Sequence, residues 1–184
     1  MRDPWEERER KKNTRTVGRN IYLFGEIEED MIDDVIQAIH RLTNKNSKKP
    51  IKLFINSPGG DVSTGLALLD AVLNSKVPIY TIALGEVCSM ASPIFIAGKK
   101  GHRYIAKHSQ IMFHPITTGT HDYIKFAQAR LKNSAELEKM YDKFILTNTK
   151  IPKEIYSKSK SEELYLNAEK CLKYKIADKY WMGQ

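Results

Sequence analysis

"VPIYTIALGEVCSMASPIFIAG", residues 77–98, opens as an apolar strand and closes as an apolar helix, with a cysteine and two serines at the joint. Val77 to Gly85 is rich in β-branched and aromatic residues, which suit a buried pleated surface. Met90 to Gly98 reads as a helix whose Pro93 falls in the first turn, where a missing N–H costs little. Upstream the pattern repeats: the strand "IKLFIN" runs into "SPGGD", a turn, and then the helix "STGLALLDAVLNS". Before these, "NIYLFGEI" from Asn20 is predicted as the first strand. "EEDMIDDVIQAIHRLTN" then puts Met31, Ile32, Val35, Ile36, Ile39 and Leu42 at helical spacing, with acids in the first turn. Strands alternating with helices across short loops predict an α/β layer fold.

Beyond Gly98, "HRYIAK" and "SQIMFH" read as two short strands. Residues 122–149 form a long, lysine-dotted helical stretch in which Phe126, Leu137, Tyr141 and Phe144 line one apolar face. From about residue 163 come the strand "LYL", Asn167 as an N-cap, and a short helix. Residues 1–19 are charged and without period, so a flexible basic arm is expected ahead of one folded domain, 20–184.

Composition narrows the function classes. The N-terminal "MRDPWEERERKKNTR" has no apolar stretch, and no later run reaches the roughly 18 residues a membrane span needs, so neither a signal nor a membrane segment is expected. Cys88 and Cys171 imply no disulfide framework and suit a reducing, cytoplasmic compartment. The net charge of +8 comes from lysines scattered among acids, without a nucleic-acid motif. It reads as a solvated surface, with an acidic partner as the alternative and nucleic acid not expected.

Three stretches can carry chemistry, and each has a plain structural reading beside the functional one. In "INSPGG" the glycines explain themselves as a strand-to-helix turn; alternatively Gly60 exposes an N–H to a developing negative charge. Ser89 is either a helix-capping serine or a nucleophile at an elbow, where the helix N-terminus favours an anion and the Met90 N–H is a second donor. His114 ends an apolar strand ahead of Pro115, at a rim, and histidine is the usual base for a serine hydroxyl. His40, His102, His108 and His121 are its rivals, read more easily as surface residues on helix, turn or loop.

In their order, "INSPGGDV", "GEVCSMAS" and "HSQIMFHP" closely resemble the ClpP family, the proteolytic subunits of the Clp protease, over Ile21 to Asp178. The resemblance implies a ClpP/crotonase-like fold of repeated β-β-α units with a protruding handle, at about residues 115–150. It also implies an ATP-dependent serine endopeptidase acting through an acyl-enzyme, with no cofactor or metal. Carried over by position, Ser89 is the nucleophile, His114 the general base, and Gly60 and Met90 the backbone oxyanion donors. The family's third member is an aspartate; in the register of "ELYLNAEKCLKYKIAD" its place is taken by Glu163, with Asp178 as the fallback. Cys88 stands where the family has alanine and is read as packing rather than as a nucleophile.

The implied partners are peptide or unfolded-protein substrate, a homo-oligomeric ring (a heptamer or a stacked double ring) and an AAA+ unfoldase. At the family's unfoldase pocket two aromatic positions correspond to Lys52 and Asn74, while Phe54 keeps its aromatic character. An apolar anchor binds poorly beside a lysine head group. "PITTGTHD" is also several residues shorter than the family's glycine-rich strand. Other readings are a catalytically weak structural subunit of such a ring, a virion-maturation protease, and acyl-CoA chemistry on the related crotonase fold.

Overall fold

The computed structural model describes residues 14–45, 48–117 and 123–183. The predicted alternation folds into one mixed sheet. β2 (Asn20–Phe24), β3 (Ile51–Ser57) and β4 (Ile79–Cys88) run parallel, joined by α1 (Glu29–Lys45) and α2 (Val62–Leu73). α3 (Ala91–Ile96) leads to β5 (Arg103–Ile105) and β6 (Gln110–Phe113). Beyond α4 (Ile124–Asn148), α5 (Lys153–Tyr156) and a 3-10 turn, the chain adds β7 (Leu164–Asn167), α6 (Ala168–Lys173) and β8 (Lys179–Tyr180). This is the α/β layer arrangement expected from the sequence.

The core lies between the sheet and its helices. α1 buries Met31, Ile32, Val35, Ala38, Ile39 and Leu42 against β-strand residues such as Ile21, Leu53 and Ile55. Each fully buried aliphatic side chain contributes about 1.5–3 kcal/mol. α3 is buried on every side, as its mostly apolar sequence requires. α2 starts at Asp61, whose carboxylate accepts from the Thr64 N–H at 2.7 Å. That bond holds the Asp61 carboxyl below its ordinary range.

Two expectations change. Thr14–Val17, expected within the flexible arm, form β1, antiparallel to β2. The end of the arm is pinned as well, because the Arg19 guanidinium donates to the carbonyls of Leu42, Lys49 and Pro50, among them an orphan carbonyl in the last turn of α1. Residues 1–13 of the arm lie outside the described residues. On α4, Phe126 is 61% exposed rather than part of an inward face; Tyr141 and Phe144 pack against the core and Ile145 is fully buried.

β4 does more than the sequence promised. Its pairing with β3 slips from Ile55–Ala83 to Ser57–Val87, a bulge that takes Gly85 to φ 63°. The Asn56 amide oxygen fills the bend and accepts from the Glu86 N–H at 3.1 Å. Below the bulge β4 pairs with β5, and above it Glu86–Cys88 pair with Gln110–Met112 of β6. The bend therefore brings β6 and β7 into the sheet.

Candidate active site

Ser89 follows β4 directly and adopts φ 52°, a left-handed conformation that a side chain disfavours by about 1–2 kcal/mol. Neighbouring bonds over-determine it. Its N–H donates to the Met112 carbonyl at 2.9 Å, and its own carbonyl accepts from the Ser92 N–H at 3.0 Å. The buried Ser92 hydroxyl lies 2.9 Å from the Met112 carbonyl and 3.1 Å from that of Val87, tying α3 to both strands. Strain held by its surroundings is common at functional positions.

The Gly59–Gly60 turn lies against this serine. A Cβ on Gly59 would stand 2.6 Å from Ser89 Cβ and 3.1 Å from Ser89 Oγ, so the close approach requires glycine. Gly60 bridges Ile27 through its neighbours: the Ile27 N–H donates to the Gly59 carbonyl and the Asp61 N–H to the Ile27 carbonyl. That pairing leaves the Gly60 N–H outside it. Met90 is buried, with its side chain where a Cβ on Gly65 would go.

His114 comes just after β6 and is partly buried. β6 and β7 pair antiparallel up to Phe113–Leu164, and His114 and Glu163 are the next residue on each side of that last pair. Met112–Tyr165 is the row before it, and Cys88 pairs with Met112 on the other side. Ser89, His114 and Glu163 are thus brought to one end of three adjacent strands. In this conformation no hydrogen bond joins Ser89 Oγ to His114 or His114 to Glu163 among the described residues; Glu163 Oε2 accepts from the exposed Tyr165 hydroxyl at 3.0 Å.

The other candidates are differently engaged. Asp178 is partly buried and takes two guanidinium bonds from the buried Arg103, at 2.8 and 2.9 Å, and the N–H groups of Gly101 and Arg103. Burial opposes its ionisation, but the Arg103 bonds and charge prevail and hold its carboxyl below the ordinary range. Cys88 is 3% exposed, and burial, then the charges of Glu86 and Glu163, push its thiol up to about 11. Cys171 is also free and buried. His40 is exposed on α1, His108 is exposed in a turn, and His102 stacks on Tyr80 at 4.0 Å. His121 lies outside the described residues. Lys52 places its ammonium 5.4 Å from the Trp181 ring centroid, beside a Tyr22–Phe54 stack, and Asn74 caps α2.

Two residues at the site were missed in the sequence. Gly59, not only Gly60, touches the serine. Tyr141 of α4 donates its hydroxyl to the Ser89 carbonyl at 3.1 Å; the available hint was that a tyrosine on an apolar helix face needs a partner for its hydroxyl. Among the described residues no group of three or more His, Cys, Asp or Glu is placed to hold a metal ion, and no helix is long and apolar enough to cross a membrane. In comparison with known families, residues 7–182 of the 184 match the sequence model of the Clp protease family.

Proposed function

The chain belongs to the Clp protease family and is a ClpP-type peptidase, and on that premise we propose that it cleaves peptide bonds by serine chemistry. Ser89 Oγ attacks the scissile carbonyl while His114 takes its proton. The tetrahedral oxyanion is held by the N–H groups of Gly60 and Met90. His114 then protonates the leaving amine, and water releases the acyl-enzyme by the same path. Glu163, at the same strand end as His114, orients the ring and balances its charge. Asp178 serves a structural role instead, because its oxygens are already committed to Arg103 and Gly101.

The observation that carries this reading is the contact of the Gly59–Gly60 turn with Ser89. It joins a partly exposed serine with a strained backbone to a turn whose Gly60 N–H makes no bond among the described residues, the combination acyl transfer needs. The substrate is an unfolded protein or peptide held extended, in a chamber formed by a homo-oligomeric ring, in the cytoplasm. ATP dependence is supplied by a separate unfoldase. With Lys52 beside Trp181, an unfoldase loop with an apolar anchor meets a charged rim.

A second reading, a catalytically weak structural subunit, draws on the absence of a Ser89–His114 hydrogen bond in this conformation. Loose geometry of this kind is frequent before substrate binds. A fluorophosphonate probe separates the two: it is expected to label the assembled protein and not Ser89→Ala. A folded, assembled protein that stays unlabelled sinks the peptidase mechanism.

A further inference from the structure

The Tyr141 hydroxyl reaches across 52 residues of chain to the Ser89 carbonyl. That carbonyl belongs to the same peptide unit as the Met90 N–H. A peptide unit is planar and trans, so its C=O and N–H point in opposite directions. Fixing the oxygen therefore fixes the direction of the N–H. The Ser92 N–H also binds this oxygen, but from within the same short helix, so it does not fix the carbonyl against any other element. Tyr141 comes from a different element and supplies an outside reference point.

That reference point is itself held on its other side. Asp142, the next residue, accepts from the Tyr156 hydroxyl at 2.8 Å and from Lys160 Nζ at 2.6 Å. Lys160 also reaches Glu138 at 2.9 Å, and Tyr156 packs edge-on against Phe113, next to His114. One turn of α4 is thus bonded both to the elbow and to the segment that leads to Glu163. Burial, with the charge of Asp142, pushes the Tyr141 hydroxyl well above the ordinary tyrosine range, so it remains a donor at neutral pH.

We propose that Tyr141 is a positioning residue that aims the Met90 N–H at the oxyanion by holding the Ser89 carbonyl from behind. The proposal rests on the serine-peptidase mechanism above. Without the hydroxyl the Ser89 carbonyl keeps only its bond from the Ser92 N–H, the Ser89–Met90 peptide tilts more readily, and one of the two oxyanion donors is misaimed for part of the time.

The test is Tyr141→Phe, which removes one oxygen and keeps the ring. Fluorophosphonate acylation is expected to slow by about tenfold or more, toward the 10²–10³-fold loss typical of a deleted oxyanion donor. With a peptide substrate kcat falls and KM holds, because the contact forms in the transition state. A peptide boronate, whose adduct carries the oxyanion, loses affinity in parallel. Ile145→Val, one turn along α4 at a fully buried position, controls for general loosening: it lowers the melting temperature but keeps the acylation rate. Equal rate losses in the two variants, or a parental rate in Tyr141→Phe, overturn the positioning role while leaving the peptidase reading intact. An unlabelled parent overturns both.

Discussion

Ser89 keeps a side chain in a backbone region that suits glycine. Ser89→Gly and Ser89→Ala both remove the hydroxyl, but only glycine relieves the left-handed strain. Ser89→Gly is expected to melt above Ser89→Ala by a degree or more, roughly the effect of 1 kcal/mol less the backbone entropy of glycine. Equal melting temperatures would remove the strain from the account. Gly59→Ala works in the other direction. Its methyl meets Ser89 Cβ and the Cys88 carbonyl, and φ of 101° adds strain, so labelling of Ser89 should collapse in a protein that still folds. For Glu163→Gln, acylation is expected to fall by roughly 10³–10⁴-fold, the scale for a mis-oriented triad histidine. Kinetics that match the parent would transfer the acid's role to another group.

At the level of elements, the Arg103–Asp178 pair ties β5 to the C-terminal segment, with Arg103 also donating to the carbonyls of Asn148 and Lys175. Because the folded-state pKa of Asp178 is lowered, its contribution is fully present above the ordinary value of 3.8 and is lost as the pH falls through the folded value. Asp178→Asn should cost about 3 kcal/mol at neutral pH, the scale of breaking a buried pair. The gap to the parent should narrow in denaturant titrations run below pH 3.8. A gap that stays constant with pH would show that the charge of Asp178 does not stabilise the fold. Strands and helices with an apolar period were legible in the sequence, because one buried face imposes 2 or 3.6 residues on the chain. β1 was not: "TRTV" has no apolar face and becomes a strand by pairing with β2. Phe126 has the right spacing for an inward face, yet it stays exposed, its ring edge-on to the equally exposed Tyr123 rather than packed on the core. Motif order points to Ser89, Gly60 and His114 as the proposed site, whereas the Tyr141 bond depends on how α4 docks, which no local pattern encodes.

Across the molecule, the described residues leave the N-terminal half of α4 bare, with Tyr123 82% exposed and Ile124, Phe126 and Leu131 also open. Family membership makes a second copy of the chain the expected cover for these groups. Light scattering should give a mass several times that of the 21.1 kDa chain, and Phe126→Glu should shift it toward smaller species. A parent of single-chain mass that cleaves peptides would contradict the ring. Cys88 has a consequence for selective chemistry. A sulfur sits one residue from the proposed attacking oxygen, yet at neutral pH it is a buried, protonated thiol with little nucleophilic character. Maleimides and haloacetamides should pass it by in the folded protein, while phosphonylating or acylating reagents find Ser89. On the proposed serine mechanism, a covalent inhibitor for this chain would carry an oxygen-seeking warhead, and the buried neighbouring cysteine would offer thiol-directed compounds no foothold.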